Sequence, residues 1–322
     1  MGPSEKGSDV QARKIADYSV YALVRVLICL IQTLPLSACA AVSRQLGRFC
    51  WHVLKLRRDV VEENLRCAFP ELSQSERDRI ALAMWEHLLL MVMEIAHAPR
   101  KVRRTNWRRH SAEPGMKSVL QRLIDERPTV LISGHVGNFE MGGYMLALHG
   151  FPMHTVARPL DNPYLDRFVT RFRESTGQYM LPKQGSGRQI ALLMEKGGTI
   201  SLLGDQHAGA NGCWVDFFGR PASTHKAVAV FTLSGKAPTA VCASLRGDRP
   251  LYMEMHVADI VDPSAEDFCL GTIPLLTEWY TRQLEGLIRQ APQQYWWVHR
   301  RWKGQPADRR ELRRLRRRQQ AA

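Results

Sequence analysis

The stretch Val130-Leu131-Ile132-Ser133-Gly134-His135-Val136-Gly137-Asn138-Phe139-Glu140 passes from a short apolar run into glycines, a histidine and then a carboxylate. The apolar run has the length of a buried strand, and the glycines mark the turn into a following helix. The segments Thr129–Ser133, His154–Ala157, Thr199–Leu203 and Pro238–Ser244 read the same way. Helical patterns near Leu165–Thr176, Gly187–Lys196 and His225–Ser234 separate them. Strands alternating with helices predict an α/β fold, with a mainly parallel central sheet flanked by helices. Upstream, Arg57 to Arg104 reads as helical, with Ser73 and Glu76 as a capping box and an apolar-periodic stretch from Ile80 to Ala98. Ser264 to Ala291 predicts one more helix, broken at Pro274 or starting there. There is no internal repeat.

The first 17 residues are polar and predict a loose end, whereas Tyr18 to Ser43 is dominated by Val, Leu, Ile, Ala and Cys. Residues 18–44 are therefore expected to form an apolar, membrane-associating or transmembrane helix, although Gln32 and Pro35 interrupt the run. A buried core helix is the plain alternative. A signal peptide fits less well, because basic residues from Arg44 to Arg58 follow without a convincing cleavage site. Residues 45–303 make one large domain, and residues 304–322 a basic tail, helical from Ala307 onward. With 45 Lys and Arg against 31 Asp and Glu, the formal charge of +14 argues for an anionic partner: phospholipid, nucleic acid or an acidic carrier protein. The tail has no aromatic residues interleaved in its distal part, which favours an anionic membrane surface over nucleic acid. The seven cysteines show no metal-ligand pairing and no disulfide density, so a reduced, cytosol-facing body follows.

In an open parallel sheet the ligand crevice lies beyond the carboxyl ends of the strands, where His135 sits. An imidazole titrates near neutrality and can take a proton from an attacking hydroxyl. Glu140 is expected to orient the ring through its other nitrogen, and Gly134 and Gly137 to let the backbone approach a ligand. Amides at the following helix start are expected to help hold an oxyanion. The plain alternative is an ordinary strand-to-helix turn with Glu140 favouring the helix start. The spacing does not fit a zinc helix, so no metal is expected. No Gly-x-Ser-x-Gly elbow occurs to support a hydrolase; Ser186 is flanked by glycines only.

Several further blocks stand in order along the chain. Arg57-Arg58 with Asn64-Leu65 and Phe69-Pro70-Glu71, then Gly134 to Glu140, come first. Arg158-Pro159 with Asn162-Pro163, Gly204-Asp205-Gln206, Phe217-Phe218-Gly219 and Tyr295-Trp296-Trp297-Val298-His299-Arg300-Arg301 follow. Together they resemble the late acyltransferases of lipid A biosynthesis, within a wider bacterial group that includes phosphatidylinositol mannoside acyltransferases, and the resemblance runs from about Tyr18 to Lys303. It implies His135 and Glu140 as catalytic residues, with Arg58, Gly137, Asn138, Arg158, Asp205 and Gln206 around the substrates. Arg158 is expected to pair with Glu140 or hold a substrate phosphate or carbonyl. The implied reaction moves a fatty acyl group from acyl carrier protein or acyl-coenzyme A onto a hydroxyl of a membrane glycolipid, such as a lipid A precursor. No cofactor is expected beyond that thioester co-substrate. The implied place is the cytoplasmic face of the bacterial inner membrane. A phosphatidylinositol mannoside or other lysophospholipid-type acyltransferase is the alternative, and a non-enzymatic basic membrane or nucleic-acid adaptor a more distant one. Ala157, where many members carry an aromatic residue, and the long basic tail depart from the family pattern.

Overall fold

In the computed structural model, residues 3–183 and 185–304 are described. The chain opens with α1 (Pro3–Ile31) and α2 (Leu36–Arg48), the latter running into a π-helical turn at Phe49–Val53. Then come α3 (Arg58–Ala68), α4 (Gln74–Lys101), the short β1 (Ser111–Ala112), α5 (Met116–Ile124) and β2 (Thr129–Ser133). The alternating region holds α6 (Phe139–Leu148), β3 (Met153–Ala157), α7 (Pro163–Glu174), β4 (Gln178–Pro182), α8 (Gly187–Glu195) and β5 (Thr199–Leu203). A small hairpin, β6 (Cys213–Phe217) and β7 (Arg220–Thr224), precedes α9 (Ala227–Ser234), β8 (Thr239–Arg246), β9 (Met253–Val261) and α10 (Ile273–Gln290).

Seven strands form one sheet in the order β1-β9-β8-β2-β5-β3-β4, parallel throughout except for the β8–β9 pair. The α/β architecture expected from the sequence is the one observed. β2 lies at the centre, between β8 and β5. Val130, Leu131 and Ile132 are almost wholly buried, each stabilising the fold by roughly 1.5–3 kcal/mol. Val130 and Ile132 join the main core on one face, where α8, α9 and α10 pack, while Leu131 joins a second core under α5 and α6. This two-faced burial explains why β2 reads as a continuous apolar run instead of an alternation.

The N-terminal region differs from expectation. The chain is already helical from Pro3, and residues 18–44 are two helices, not one. Pro35 has no amide hydrogen to continue a helix and restricts Leu34, so α1 ends at Ile31 and α2 restarts at Leu36. Ile15, Tyr18, Leu23, Val26 and Leu30 are each more than half exposed, which leaves an apolar flank on α1. Among the described residues the one helix long and apolar enough by composition to cross a membrane is α4, and half of its apolar window is buried in the protein. The capping box forms as predicted: the Ser73 backbone N–H donates to Glu76, and the Glu76 N–H to the Ser73 hydroxyl. The basic tail beyond residue 304 lies outside the described residues.

Candidate active site

His135 stands two residues beyond the end of β2, and Asp205 two residues beyond the end of β5. The strands are adjacent and parallel, with Ser133 opposite Leu203, so the same register brings His135 opposite Asp205. His135 Nδ1 lies 2.8 Å from Asp205 Oδ1, and the His135 backbone N–H donates to Oδ2 at 2.9 Å. The carboxylate is fully buried, and burial alone would push it upward. The His135 charge, its ring N–H and its backbone N–H outweigh that and hold the Asp205 carboxyl down at about 2. Burial pulls the imidazole downward, but Asp205, with Glu140 behind it, raises it above its ordinary value. An ionised carboxylate only accepts, so the Nδ1 proton points at Asp205 and Nε2 is the free lone pair of the neutral ring. The Gln206 side-chain amide reaches Nε2 at 3.3 Å. Phe139 and Trp296 flank the ring edge to face, with centroids 4.8 and 5.0 Å away.

This geometry corrects the expectation for Glu140. Its carboxylate does not touch His135; both of its oxygens are taken by the Arg173 guanidinium, Nε donating to Oε2 at 2.9 Å and Nη2 to Oε1. Burial opposes the charge on Arg173, and Glu140 more than compensates, raising its pKa. Glu140 acts on His135 only through its field. Arg158, expected to hold Glu140, instead pairs with Asp161 at 2.7 Å on an exposed loop at the cavity mouth. Arg58 pairs with Glu62 at 2.7 Å and lies over the Trp51 ring, away from the cavity lining.

The expected roles of Gly137 and Asn138 also change. Gly137 has φ +65, and a Cβ there would stand 1.9 Å from the Ser244 carbonyl oxygen. Its openness accommodates β8, not a ligand. Asn138 is fully buried, its Oδ1 capping α6 through the Met141 N–H at 3.1 Å and its amide donating to Glu94 at 2.9 Å. The N–H groups of Gly137, Asn138 and Met141 are thus taken by Gln294, Ser244 and Asn138, leaving none of these three for an oxyanion.

A buried polar network inside α4 holds this loop. Glu94 is fully buried and bound bidentately by Arg246, with Nε and Nη2 each 2.7 Å from an oxygen, while the Leu251 N–H donates to it at 2.8 Å. Arg246 also donates to His87 Nδ1, so the other nitrogen carries the proton that reaches the Gly137 carbonyl at 3.1 Å. Burial and the Arg246 charge, opposed weakly by that carbonyl, keep His87 neutral, its pKa held down at about 3. The periodicity of α4 announced a core helix but not that its core face carries a buried carboxylate, Glu94, bound by Arg246 of β8. For Asp205, by contrast, the signal was present in the parallel register.

The site opens into a cavity of about 660 Å³. Its mouth is polar and basic, with Glu140, Arg158, Arg173, Lys183 and His225. Its inner lining is mainly apolar, from Leu131, Ile190, Leu202, Val228, Phe231 and Met255, with the buried Gln178, Ser186 and Ser244 among them. Such a volume and lining suit an apolar chain whose reactive end lies at His135.

Residues 7–304 match the family of bacterial lipid A biosynthesis acyltransferases. The chain belongs to that family. Among its relatives, this acyltransferase is 25% identical over 287 residues to the lipid A biosynthesis lauroyltransferase of Escherichia coli (strain K12), covering 87% of this chain and 90% of that protein. It is 25% identical over 280 residues to the lipid A biosynthesis palmitoleoyltransferase of the same strain, covering 85% and 87%. A shorter match, 34% identical over 97 residues and covering 29% of this chain and 32% of the other, is to the phosphatidylinositol mannoside acyltransferase of Mycolicibacterium smegmatis.

Proposed function

We propose that this acyltransferase moves a fatty acyl group from a thioester donor, acyl carrier protein or coenzyme A, onto a hydroxyl of a lipid A precursor at the cytoplasmic face of the inner membrane. The observation that carries this reading is the His135–Asp205 pair at the basic mouth of an apolar cavity. The acceptor hydroxyl displaces the Gln206 amide from His135 Nε2 and gives up its proton there, while its oxygen forms a bond to the thioester carbonyl carbon. Asp205 stabilises the resulting imidazolium. The C–S bond then breaks, and the thiolate leaves with the proton returned from Nε2. Oxyanion charge falls to side chains that line the cavity, the Gln206 amide and the Arg173 guanidinium, since the N–H groups of His135, Gly137, Asn138 and Met141 are already bonded. No acyl-enzyme forms. The acyl chain occupies the apolar interior, and Arg158 and Lys183 meet the anionic parts of donor or acceptor.

The exposed apolar flank of α1 and the +14 charge support attachment to an anionic membrane. The partial likeness to a phosphatidylinositol mannoside acyltransferase favours one second reading, a phosphatidylinositol mannoside or related acceptor. Purified protein incubated with labelled acyl carrier protein or acyl-coenzyme A and a panel of glycolipid acceptors, with products identified by mass, decides between them. Consumption of neither donor with any acceptor overturns the proposal.

A further inference from the structure

A second cavity, of about 420 Å³, lies between α1 and α7 and shares no lining residue with the first. One stripe of α7, Tyr164, Arg167, Phe168, Arg171 and Phe172, faces it at helical spacing, with Ser175 just beyond the helix end. Tyr21 and Arg25 of α1 close the other side, and Pro99 of α4 the base. Three guanidiniums therefore line one groove, and no carboxylate among the described residues lines it with them. Arg25 is the single charged residue between Tyr18 and Ser43. It is turned toward α7, 5.0 Å from the Phe168 ring centroid, and its Nη1 donates to the Tyr21 hydroxyl at 2.9 Å. Asn162, at the N-terminus of α7, donates to the Asp17 carbonyl at 2.8 Å and ties the two helices together.

Like charges gathered on one groove repel unless an anion sits among them. Guanidiniums backed by aromatic rings suit a phosphate, and a cation within an apolar segment points to a ligand of opposite charge. On α1, beside the groove, Leu23, Val26, Leu27 and Leu30 are exposed. The ligand that matches both surfaces has an anionic phosphate headgroup and hydrocarbon chains. We propose that the α1–α7 groove seats an anionic membrane phospholipid, its phosphate among Arg25, Arg167 and Arg171 and its chains along the apolar flank of α1. This site is separate from the acceptor site, because Arg173, which faces the catalytic cavity, lies on the opposite side of α7. Occupation fixes the catalytic mouth at headgroup level.

The inference rests on the membrane attachment proposed above, and one experiment tells the two apart. Cosedimentation of the full chain is measured with phosphatidylcholine vesicles with and without phosphatidylglycerol. The doubly substituted Arg167→Gln/Arg171→Gln is compared with wild type and with Lys117→Gln/Lys196→Gln, which removes the same charge elsewhere. The groove variant is expected to lose about thirtyfold in affinity for the anionic vesicles. It should keep the wild-type melting curve and its transfer rate on detergent-dispersed acceptor, while the matched control loses far less. Equal losses in both variants would show general electrostatics and overturn the groove. If the groove variant binds the anionic vesicles as tightly as the wild type while inorganic phosphate raises the melting temperature of the wild type alone, the groove holds free phosphate and the lipid assignment falls. Failure of the wild type to bind either vesicle overturns the membrane attachment itself, and the groove with it.

Discussion

Replacing Asp205 by asparagine changes the proton on His135 while leaving the shape of the site nearly intact. The carboxyl held down at about 2 against an ordinary 3.8 corresponds to about 2 kcal/mol in favour of the charged pair, despite full burial. The asparagine oxygen can still accept the His135 backbone N–H. Its NH₂ then faces Nδ1 and makes that nitrogen an acceptor, which moves the ring proton to Nε2, where the acceptor hydroxyl needs a lone pair. Loss of imidazolium stabilisation and the wrong tautomer together cost about 10³–10⁴ in kcat. The pH profile shifts as well. A base works when deprotonated, so activity rises as pH rises through the His135 pKa, which Asp205 lifts above 6.5 in the wild type. Without that carboxylate, burial dominates and the inflection moves to lower pH. Initial rates with a labelled thioester and lipid acceptor, measured from about pH 5 to pH 9, read both effects. A variant within about threefold of wild type, with its inflection unmoved, would refute the assignment of Asp205.

Glu140→Gln is expected to lower kcat only about 10- to 100-fold and to move the acid inflection slightly downward, since Glu140 raises His135 through its field alone; the same rate assay checks it. Gly137→Ala places a Cβ against the Ser244 carbonyl at positive φ and should cost at least about 3 kcal/mol in urea unfolding, whereas Gly185→Ala, with open space around it, should cost about 1 kcal/mol. Glu94→Leu leaves Arg246 buried without its partner and should destabilise by about 3–5 kcal/mol. Glu94→Leu/Arg246→Met should recover much of that stability in urea titration but not the transfer rate, because Asn138 loses Glu94 and the His87 ring that holds the Gly137 carbonyl loses Arg246. Phe231→Trp narrows the apolar cavity and should shift preference to shorter acyl chains in a competition assay read by product mass.

The strands were legible because central parallel strands are apolar on both faces: Thr129–Ser133 and Thr199–Leu203 are observed at their expected boundaries. β4, Gln178–Pro182, passed unread because an edge strand is buried on fewer sides and its pattern is mixed. The antiparallel β9 was hidden by its half-exposed, alternating composition. At the site, His135 was readable from its place after β2, and the family resemblance put Asp205 and Gln206 around the substrates. The partner of His135 was not, since proximity along the chain favoured Glu140 while the sheet register favoured a residue 70 positions away. Arg173 was missed for a similar reason: it lies on a helix with no buried residue, where an arginine reads as solvated surface. Glu94 stands in plain view within the apolar stretch of α4, but its buried partner Arg246 lies 152 positions away on β8 and could not be read from it.

The claim on which the mechanism depends is that His135 passes the acceptor's proton directly, without an enzyme-bound acyl group. Wild type and His135→Ala are each exposed to the thioester donor, with and without acceptor, and both protein and lipid are weighed by mass spectrometry. Acylated lipid from the wild type alone, no acyl adduct on either protein, and a His135→Ala chain that melts like the wild type are the results expected. An acyl-protein adduct that the acceptor consumes, or acylated lipid formed by His135→Ala at close to the wild-type rate, would contradict it.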